Sequence, residues 1–307
     1  MKKIIRIGTR ESQLAVWQAT RAQELLAQHD VAAELVYIKS EGDIDLRTPL
    51  YEMGVQGIFT RSLDIALLNN RIDVAVHSLK DVPTQMPKEI VNGAVLKRGS
   101  YKDLLVYKGE VPALLTSDQP VTIATSSIRR KAQWLNKYPH HHLENLRGNV
   151  NTRLKKLEES NWHGAIFAAA GLERINLRPA QSFELDWMLP APAQGAIVVV
   201  CREDDVFARD SSRHLNDEGT ALCTKIERDF LRTLLGGCST PISALAEMED
   251  GKIIFKGNIL SPNGKEKVEI EKIIAVEQSN EAGKNLAEEL LSNGGKKIAD
   301  TLRHAEK

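Results

Sequence analysis

The sequence predicts an α/β fold, with two α/β lobes followed by a small C-terminal α+β domain. Short apolar runs alternate with helical patterns over roughly the first two thirds of the 307 residues. Such alternation is typical of parallel sheets covered by helices. Beyond about residue 217 the pattern changes to a helix, a hairpin-like pair and a last helix. At roughly 150 residues per domain, the length favours two or three domains.

Six apolar runs predict the strands of the two lobes. Between the first two runs, Ala15, Ala19, Ala22 and Leu26 recur at helical spacing, and Ser12 is placed to cap that helix. The last run follows a complete α/β block, so its position allows it to return to the first sheet. The predicted strands are residues 4–8, 34–40, 72–78, 121–126, 164–171 and 195–201.

The C-terminal pattern predicts one helix to Leu235, then a hairpin around the turn residues 261–264. Gly294 and Gly295 are expected to stop the last helix. Turn-rich stretches near residues 97–100, 190–195 and 210–217 mark domain boundaries. The hairpin strands are residues 252–260 and 267–276, and the predicted domains are 1–97 with 196–214, 98–195, and 215–307.

Composition excludes several classes of protein. The 41 basic residues balance 41 acidic ones, whereas a general nucleic-acid or anionic-membrane binder would need a basic excess. Residues 1–6 are too short for a signal peptide, and charged residues interrupt them. No run of 18 apolar residues occurs in the sequence. We therefore expect a cytoplasmic protein. Three widely spaced cysteines without a CxxC fit neither a disulfide framework nor a zinc site.

Cys238 lies in the most informative stretch, Leu-Leu-Gly-Gly-Cys-Ser-Thr-Pro, directly after a helical run. Gly236 and Gly237 can take the left-handed conformation that ends a helix, and Pro241 prevents its resumption. We therefore expect an exposed, chemically available thiol on a tight loop. The alternative, a small buried apolar side chain, is the usual interpretation of an isolated cysteine.

Arg129 and Arg130 open a helix after the strand at 121–126. Helix N-termini carry partial positive charge, so two arginines there are unfavourable unless an anion is present. With the hydroxyls of Thr125, Ser126 and Ser127 they predict a carboxylate or phosphate site. The alternative is two exposed arginines on a solvated helix.

Three more arginines follow strands of the same block. Arg147, Gly148 and Arg153 open another helix, and Arg174 lies at a similar strand-to-helix junction. Five arginines at strand ends predict a polyanion pocket where open α/β sheets bind ligands. Because no glycine-rich phosphate loop accompanies them, a nucleotide is the less favoured anion.

Asp81 ends the stretch Ile-Asp-Val-Ala-Val-His-Ser-Leu-Lys-Asp, in which a strand delivers His77, Ser78, Lys80 and Asp81 to its carboxyl end. A carboxylate opposite an arginine-lined cleft suits a reaction through a cationic intermediate. The alternative is a surface ion pair between Lys80 and Asp81.

Other conspicuous residues are predicted to be structural. The cluster at 140–142 resembles a metal site, but consecutive histidines point apart, so a solvated loop is the favoured interpretation. Cys201 and Cys223 are expected to be structural, and no metal is predicted. The four tryptophans are expected to mark packing: Trp17, Trp134, Trp162 and Trp187.

Taken together, these stretches resemble the hydroxymethylbilane synthase (porphobilinogen deaminase) family. Their order and spacing cover residues 4 to about 245, and the C-terminal part has the expected length. The matching segments are Gly8-Thr-Arg-Glu-Ser-Gln-Leu-Ala, His77-Ser-Leu-Lys-Asp-Val-Pro, Thr125-Ser-Ser-Ile-Arg-Arg, Leu146-Arg-Gly-Asn-Val, Pro192-Ala-Gln-Gly-Ala and Gly236-Gly-Cys.

The resemblance implies a transferase of porphyrin and haem biosynthesis. Four porphobilinogens would be condensed with loss of ammonia onto a dipyrromethane cofactor, and hydrolysis would release hydroxymethylbilane. It also implies two periplasmic-binding-protein-like lobes that flank a cleft, a third domain that carries the cofactor, and a monomer without nucleic-acid or membrane partners. Attachment of the cofactor is expected to be autocatalytic, with a thiolate as nucleophile.

The resemblance also assigns roles to single residues. Cys238 would hold the cofactor through a thioether, and Asp81 would stabilise the cationic intermediate and mediate proton transfers. The other cofactor-binding residues would be Lys80, Thr125, Ser126, Ser127, Arg129, Arg130, Arg147, Gly148 and Gln194, together with Asp81. The substrate-binding residues would be Arg10, Ser12, Arg153 and Arg174.

Two alternatives remain at this point. A non-catalytic two-lobed protein that binds anions or solutes would use similar lobes, but it would need no nucleophilic thiol. A transferase acting on a phosphorylated substrate would use the same arginines with a free phosphate-binding loop.

One segment departs from the family pattern. Glu52 and Gln56 stand where the family usually has lysines, in a stretch near the cleft. Losing two positive charges beside a polyanion is expected to weaken attraction for it, unless Arg61 or Lys39 compensates or Phe59 closes the stretch by packing.

Overall fold

The computed structural model describes residues 3–39, 60–110, 121–234 and 240–305. Thirteen strands are assigned there: β1 Ile5–Thr9, β2 Ala33–Tyr37, β3 Val74–Ser78, β4 Ile90–Val95, β5 Asp103–Tyr107, β6 Thr122–Ala124, β7 His142–Glu144, β8 Gly164–Ala168, β9 Ser182–Glu184, β10 Ile197–Arg202, β11 Ile242–Glu249, β12 Lys252–Leu260 and β13 Lys267–Ala275.

The α-helices assigned in the same residues range from a single turn and a half to more than four turns. In chain order they are α1 Gln13–Ala27, α2 Arg61–Leu68, α3 Ile128–Lys137, α4 Val150–Glu159, α5 Ala169–Glu173, α6 Val206–Arg213, α7 Glu218–Leu234, α8 Ala282–Leu290 and α9 Lys296–Ala305. None of the described helices is long and apolar enough to cross a membrane.

The chain forms two compact units. Of the described residues, the first unit contains 3–39, 60–99 and 195–222, and the second contains 100–110, 121–194, 223–234 and 240–305. The α/β class predicted from the sequence is confirmed. The division of the second unit into two domains stays a prediction.

The first unit is built on a five-stranded mixed sheet of order β2-β1-β3-β10-β4. β1 pairs in parallel with β2 and β3, while β10 pairs antiparallel with both β3 and β4. The expected return of the run near 195–201 to this sheet is thus confirmed. Ala19, Ala22 and Leu26 of α1 are buried against Ile5 and Ile7, as the helical spacing predicts.

The second unit contains a five-stranded mixed sheet of order β7-β6-β8-β5-β9 and an antiparallel sheet of order β11-β12-β13. β6 pairs in parallel with β7 and β8, whereas β5 runs antiparallel to β8 and β9. The hairpin of β12 and β13 is confirmed. Five strands were not predicted, namely β4, β5, β7, β9 and β11.

The expected end of the last helix is confirmed, but a further helix was missed. α8 ends at Leu290, and Gly294 takes a positive φ of 107°. A further helix, α9, follows Gly294. It packs against the rest of the protein because Ile298, Ala299 and Leu302 form a buried apolar face.

The prediction of a solvated loop at residues 140–142 is wrong for the middle histidine. His140 and His142 are exposed, but His141 is buried and accepts a hydrogen bond from Trp134 Nε1 at 3.2 Å. Its ring stacks on Tyr138, with centroids 5.0 Å apart. Three or more possible metal ligands do not cluster anywhere in the described residues.

The predictions that two cysteines and the four tryptophans are structural are confirmed. Cys201 and Cys223 are both buried, and burial raises the pKa of the Cys201 thiol to about 11. The four tryptophans all pack in cores: Trp134 is fully buried, and Trp17, Trp162 and Trp187 pack against the core clusters of their units.

Gly264 lies where the β12–β13 turn meets α3. It has a positive φ of 72°, and its carbonyl accepts a hydrogen bond from Asn136 Nδ2 at 2.7 Å. A Cβ at this position would lie only 2.5 Å from the carbonyl oxygen of Ala132. The turn therefore needs glycine for its conformation and for the close approach of the helix.

Gly264→Ala is predicted to lower the free energy of unfolding by about 2–4 kcal/mol, because it adds a backbone clash to the cost of the left-handed conformation. Gly251→Ala is the matched control, since Gly251 has a φ of 73° but no atom within 4 Å of the added Cβ. Urea unfolding of both variants measures the difference. Equal losses would show that the contact with α3 contributes nothing.

Candidate active site

The first part of the site lies at the carboxyl edge of the sheet in the first unit. β1 and β3 are parallel neighbours, so both deliver the residues that follow them to the same edge. Arg10 and Ser12 follow β1, whereas Lys80 and Asp81 lie in a single 3-10 turn directly after β3. The structure therefore brings these four predicted site residues to one edge.

A cavity of about 60 Å³ opens at this edge. That volume is enough for water molecules or a small polar group. Ser12 occupies the first position before α1, but its side chain makes no capping hydrogen bond, contrary to the expected cap. The cavity is lined by Arg10, Ser12, Leu14, Ala15, Gln18, Val76, His77, Ser78 and Asp81.

Gln18 and His77 are two polar side chains that line this cavity. Gln18 Nε2 donates to Ser78 Oγ at 2.8 Å, which ties α1 to the end of β3. His77 is buried, and burial together with the charge of Arg10 lowers the pKa of its imidazole to about 3. The imidazole is thus neutral at physiological pH.

The second part of the site lies at the carboxyl edge of the sheet in the second unit. The three hydroxyl residues after β6 form a hydrogen-bonded loop. Thr125 Oγ1 accepts from the amide of Ser127, and Ser127 Oγ caps α3 by accepting from the amide of Arg130. Ser126 Oγ donates to the carbonyl of Leu146 at 2.8 Å, which joins this loop to the one after β7.

The loop after β7 is held in a conformation that glycine favours. Gly148 has a φ of 116°, and its carbonyl accepts a hydrogen bond from Arg153 Nε at 2.7 Å. Asn149 caps α4 by accepting from the amide of Thr152 at 2.9 Å. Arg147 is buried beside these groups. The predicted residues Arg147, Gly148 and Arg153 are therefore brought together.

Arg174 ends α5, the short helix after β8. Because β8 is parallel to β6, Arg174 lies beyond the same sheet edge as the hydroxyl loop. Burial lowers the pKa of its guanidinium to about 10, while the charge of Glu173 acts in the opposite direction. A partly desolvated cation at a strand end attracts anionic groups.

Arg129 and Arg130 already have a carboxylate partner. Asp103 Oδ2 accepts from Arg129 Nη2 at 2.7 Å, and Oδ1 accepts from Arg130 Nε and Nη2 at 3.1 and 2.7 Å. The relative exposures of the two arginines are only 4% and 5%, so they are not the solvated residues of the alternative interpretation. The carboxylate of Asp103 therefore supplies part of the negative charge that the start of α3 requires.

Gln194 belongs to the same buried network. Its Nε2 donates to Asp103 Oδ1 at 2.8 Å and to the carbonyl of Tyr101 at 2.7 Å. Burial would raise the pKa of Asp103, but Arg129, Arg130 and Gln194 outweigh it and hold the pKa at about 2. Asp103 is therefore ionised throughout the physiological range.

Glu227 fixes the loop that presents Gln194. One carboxylate oxygen accepts from the amide of Ala193 at 2.6 Å, and the other accepts from the amide of Ala246 at 2.8 Å. Ala193 has a positive φ of 62°, which this hydrogen bond helps to maintain. Since Glu227 lies on α7, the helix that precedes the predicted cysteine loop also anchors the loop before β10.

The structure therefore divides the predicted residues into three groups. Some cluster at the two sheet edges, and Arg129, Arg130 and Gln194 join the Asp103 network. Cys238, Glu52, Gln56 and Phe59 lie outside the described residues. Sequence reasoning missed Asp103 and Glu227, and it gave His77 no role. The one signal for Asp103 was an acidic residue at the head of an apolar run, Asp-Leu-Leu-Val-Tyr.

Comparison with known proteins gives consistent matches along the chain. The family model "Porphobilinogen deaminase, dipyromethane cofactor binding domain" matches residues 5–210, and "Porphobilinogen deaminase, C-terminal domain" matches residues 221–292. The porphobilinogen deaminase of Chlorobium phaeobacteroides strain BS1 is 40% identical, and the match covers 99% of each chain. The chloroplastic enzyme of Pisum sativum is 41% identical over 95% of this chain and 82% of that one.

Among solved structures, the methionine-binding protein MetQ is similar with a TM-score of 0.45 and 14% identity. The match covers 71% of this chain and 92% of that chain. A similarity at this level adds nothing to what the sheet topology already shows.

Asp103→Asn is predicted to lower the free energy of unfolding by about 3–5 kcal/mol at pH 7, because it leaves two buried guanidinium groups without their carboxylate. Since the pKa of Asp103 is depressed to about 2, its contribution is present above about pH 4 and is lost as the pH falls towards 2. The difference between wild type and variant should therefore shrink over that interval.

Asp186→Asn provides the control for Asp103→Asn. Asp186 also pairs with a cation, Lys102 at 2.6 Å, but its side chain is 76% exposed, so the loss should stay below about 1 kcal/mol. Denaturant unfolding at pH 7, 4 and 2.5 measures both variants. A loss for Asp103→Asn no larger than that of the control would refute the role of the buried carboxylate.

Proposed function

Since the chain belongs to the porphobilinogen deaminase family, we propose which of its residues carry the reaction of that family. The enzyme condenses four porphobilinogen molecules with loss of ammonia and releases hydroxymethylbilane, a step of porphyrin biosynthesis. Each porphobilinogen carries an acetate, a propionate and an aminomethyl group on one pyrrole. The residues must therefore neutralise carboxylates and stabilise the cation that the loss of ammonia leaves.

The placement of Asp81 is the observation that carries this proposal. It follows β3 at the carboxyl edge of the sheet and lines the same cavity as Arg10 and Ser12. A carboxylate fixed on a turn beside a strand end is pre-organised to stabilise positive charge on a neighbouring ring. We assign to Asp81 the stabilisation of the substrate cation and proton transfer at the pyrrole nitrogen and the amine.

The residues of the second unit fit a polycarboxylate such as dipyrromethane. Arg174 adds a positive charge beyond the same sheet edge as the hydroxyl loop, and a Cβ on Gly148 would lie 2.7 Å from the Thr152 side chain, so the loop leaves no room there for a larger residue. When bound, dipyrromethane supplies the free α-carbon from which the pyrrole chain is extended. The residues that would hold it are Lys80, Thr125, Ser126, Ser127, Arg147 and Gly148, with Cys238 as the point of attachment.

Arg129 and Arg130 take a more specific role in this proposal. Together with Asp103 they form a buried cluster with one excess positive charge, and Arg129 Nε has no hydrogen-bond partner in the described residues. We propose that the pair creates a fixed positive electrostatic potential, which attracts the carboxylates of the cofactor. Gln194 orients Asp103 within that cluster. Arg153 and Arg174, like Arg10 and Ser12 of the first unit, would bind carboxylates of the substrate.

The non-catalytic anion- or solute-binding alternative is not favoured, because the family matches extend through both the cofactor-binding and the C-terminal parts of the chain. The phosphorylated-substrate alternative is not favoured for the same reason. We propose the three domains 1–97 with 196–214, 98–195, and 215–307. We further propose a cytoplasmic monomer. We also propose that it has no nucleic-acid or membrane partners, because its 41 basic residues only balance its 41 acidic ones.

The covalent cofactor provides a direct test. Purified active enzyme is predicted to exceed the mass of the bare chain by one dipyrromethane, and Cys238→Ser should lack both the adduct and activity. Intact-mass spectrometry and the colour reaction with acidic aldehyde reagent measure this. Cys223→Ser is the control, because Cys223 is buried and should leave adduct and turnover unchanged. Active enzyme with the mass of the bare chain would rule out covalent attachment.

Asp81→Asn is predicted to lower kcat by several orders of magnitude, since it keeps the shape of the side chain but removes the charge that faces the cation. The fold and the cofactor adduct should survive, as circular dichroism and intact mass would show. Turnover is followed by the product formed from porphobilinogen. Near-normal kcat in Asp81→Asn would refute the assigned role.

A further inference from the structure

A second, larger cavity lies within the second unit, at the sheet of β11, β12 and β13. Its volume is about 380 Å³, which falls within the range of cavities that bind small molecules. The described residues that line it include none of those assigned above to the reaction. The cavity is therefore a candidate for a second ligand site.

The cavity lies on one face of this sheet. Phe255 of β12 packs against Phe230 of α7, with ring centroids 5.0 Å apart, so α7 covers the face to which Phe255 points. Because side chains alternate along a strand, Lys256 and Asn258 point to the opposite face. The register sets Leu245 of β11 opposite Lys256. All three residues line the cavity, so their side chains lie on its side of the sheet.

The charged groups of the cavity leave one carboxylate without a partner. Four carboxylates and three lysines line it, within the described residues, and three ion pairs use all the lysines. The remaining carboxylate, that of Glu247, is partly buried and has no hydrogen bond or ion pair to any described residue. One excess negative charge favours a ligand with one positive charge. The pairs are Lys102 with Asp186 at 2.6 Å, Lys256 with Glu271 at 3.1 Å, and Lys267 with Glu269.

Asn258 adds an unsatisfied polar group on the same face. Only 3% of the residue is exposed, and its Oδ1 has no hydrogen-bond partner in the part of the chain that the structure describes. Buried polar atoms nearly always have one. A half-turn of the amide exchanges Oδ1 with Nδ2 and breaks no hydrogen bond that Oδ1 makes. Since Asn258 lines the cavity, it can then accept from an N–H group of a ligand.

Another wall of the cavity is apolar and fixed. Met188, Leu189 and Pro190 line it. The carbonyl of Leu189 accepts from Arg129 Nη1 at 2.7 Å and from Gln133 Nε2 at 2.9 Å. The amide of Leu189 donates to Gln133 Oε1 at 2.9 Å. An apolar ligand body can therefore be buried against this wall without first ordering it.

The aromatic residues of the cavity favour an aromatic ligand. Tyr101 and Trp187 line it beside Met188. Aromatic rings pack favourably on other aromatic rings and on the methionine sulfur. An aromatic body thus suits this wall better than a flexible chain, which would lose more conformational entropy on binding.

We propose that this cavity binds a small aromatic amine with one positive charge, whose ammonium pairs with Glu247 and whose other end donates an N–H to Asn258. The site is separate from the cavity that contains Asp81, and it is independent of the proposed function.

The strand register sets the length of such a ligand. Glu247 lies opposite Ile254, four residues before Asn258 on β12. At about 3.3 Å per residue this is about 13 Å along the sheet. With a hydrogen bond of about 3 Å at each end, the two donors of the ligand should be about 7 Å apart. Tryptamine, with its ammonium and indole N–H at opposite ends, is a suitable probe.

Binding of tryptamine to the cofactor-loaded enzyme, measured by equilibrium dialysis, tests the site. For a ligand of about twelve non-hydrogen atoms, a Kd of about 0.1–2 mM is expected. Tryptophol, in which a hydroxyl replaces the ammonium, should bind about ten-fold more weakly, because it cannot form the charge-assisted hydrogen bond to Glu247.

Two matched variants test the carboxylate. Glu247→Gln should weaken tryptamine binding about ten-fold and leave tryptophol binding unchanged, because only the ammonium pairs with the carboxylate. Glu249→Gln removes the same charge two residues further along β11. Since Glu249 is exposed and does not line the cavity, this variant should bind both compounds as the wild type does.

Asn258→Leu tests the other end of the ligand. It should weaken tryptamine binding about five-fold through the loss of one hydrogen bond. Binding of 2-phenylethylamine, which has the ammonium but no second N–H, should not weaken. Circular dichroism of the variant checks its fold.

The proposal is overturned by any of three results. The first is the absence of saturable tryptamine binding below about 10 mM. The second is the same Kd for tryptamine in Glu247→Gln and Glu249→Gln, or tryptophol binding as tight as that of tryptamine. The third is an equal effect of Asn258→Leu on both amines. If Asn258→Leu does not fold, the comparison of the two glutamate variants still decides.

Discussion

The carboxylate of Asp103 is the interaction on which the interior of the second unit depends. Two guanidinium groups cannot be buried together in a protein interior without an opposing charge, because the loss of hydration would cost several kcal/mol per ion. Asp103 offers one oxygen to each arginine, and Gln194 satisfies a further lone pair. The residues after β6, the start of α3 and the loop before β10 are therefore fixed relative to a single side chain.

This arrangement leaves one positive charge in excess. Because buried charges are poorly screened, this excess charge creates an electrostatic potential that favours anions nearby. Fixed charges need no reorganisation when a ligand arrives, which is the condition for effective electrostatic stabilisation. Loss of Asp103 would therefore change both the stability of this interior and the electrostatic potential around it.

The alternation of strands and helices was predictable, because long elements such as α1 and β10 carry strong apolar patterns. Strands of three residues, such as β7 and β9, contain too few positions to show any period. The placement of Arg10 and Asp81 at a sheet edge also followed from the sequence, since each comes after a predicted strand, whereas the strand before Arg147, β7, was not predicted.

The partner of Arg129 and Arg130 was not predictable in this way. Asp103 lies 26 residues before Arg129 and on a different element, and only the antiparallel pairing of β5 with β8 brings it under α3. Sequence periodicity does not encode such a long-range pairing.

The position of β10 in the first unit has a consequence for synthesis of the chain. β3 and β4 are not bonded to each other, since β10 lies between them and pairs with both. Residues 197–202 leave the ribosome about a hundred residues after β4, once the β5–β9 block has been made. Until then β3 and β4 keep unpaired edges, which are prone to association with other chains. Completion of this sheet therefore has to wait for a segment that lies far along the chain.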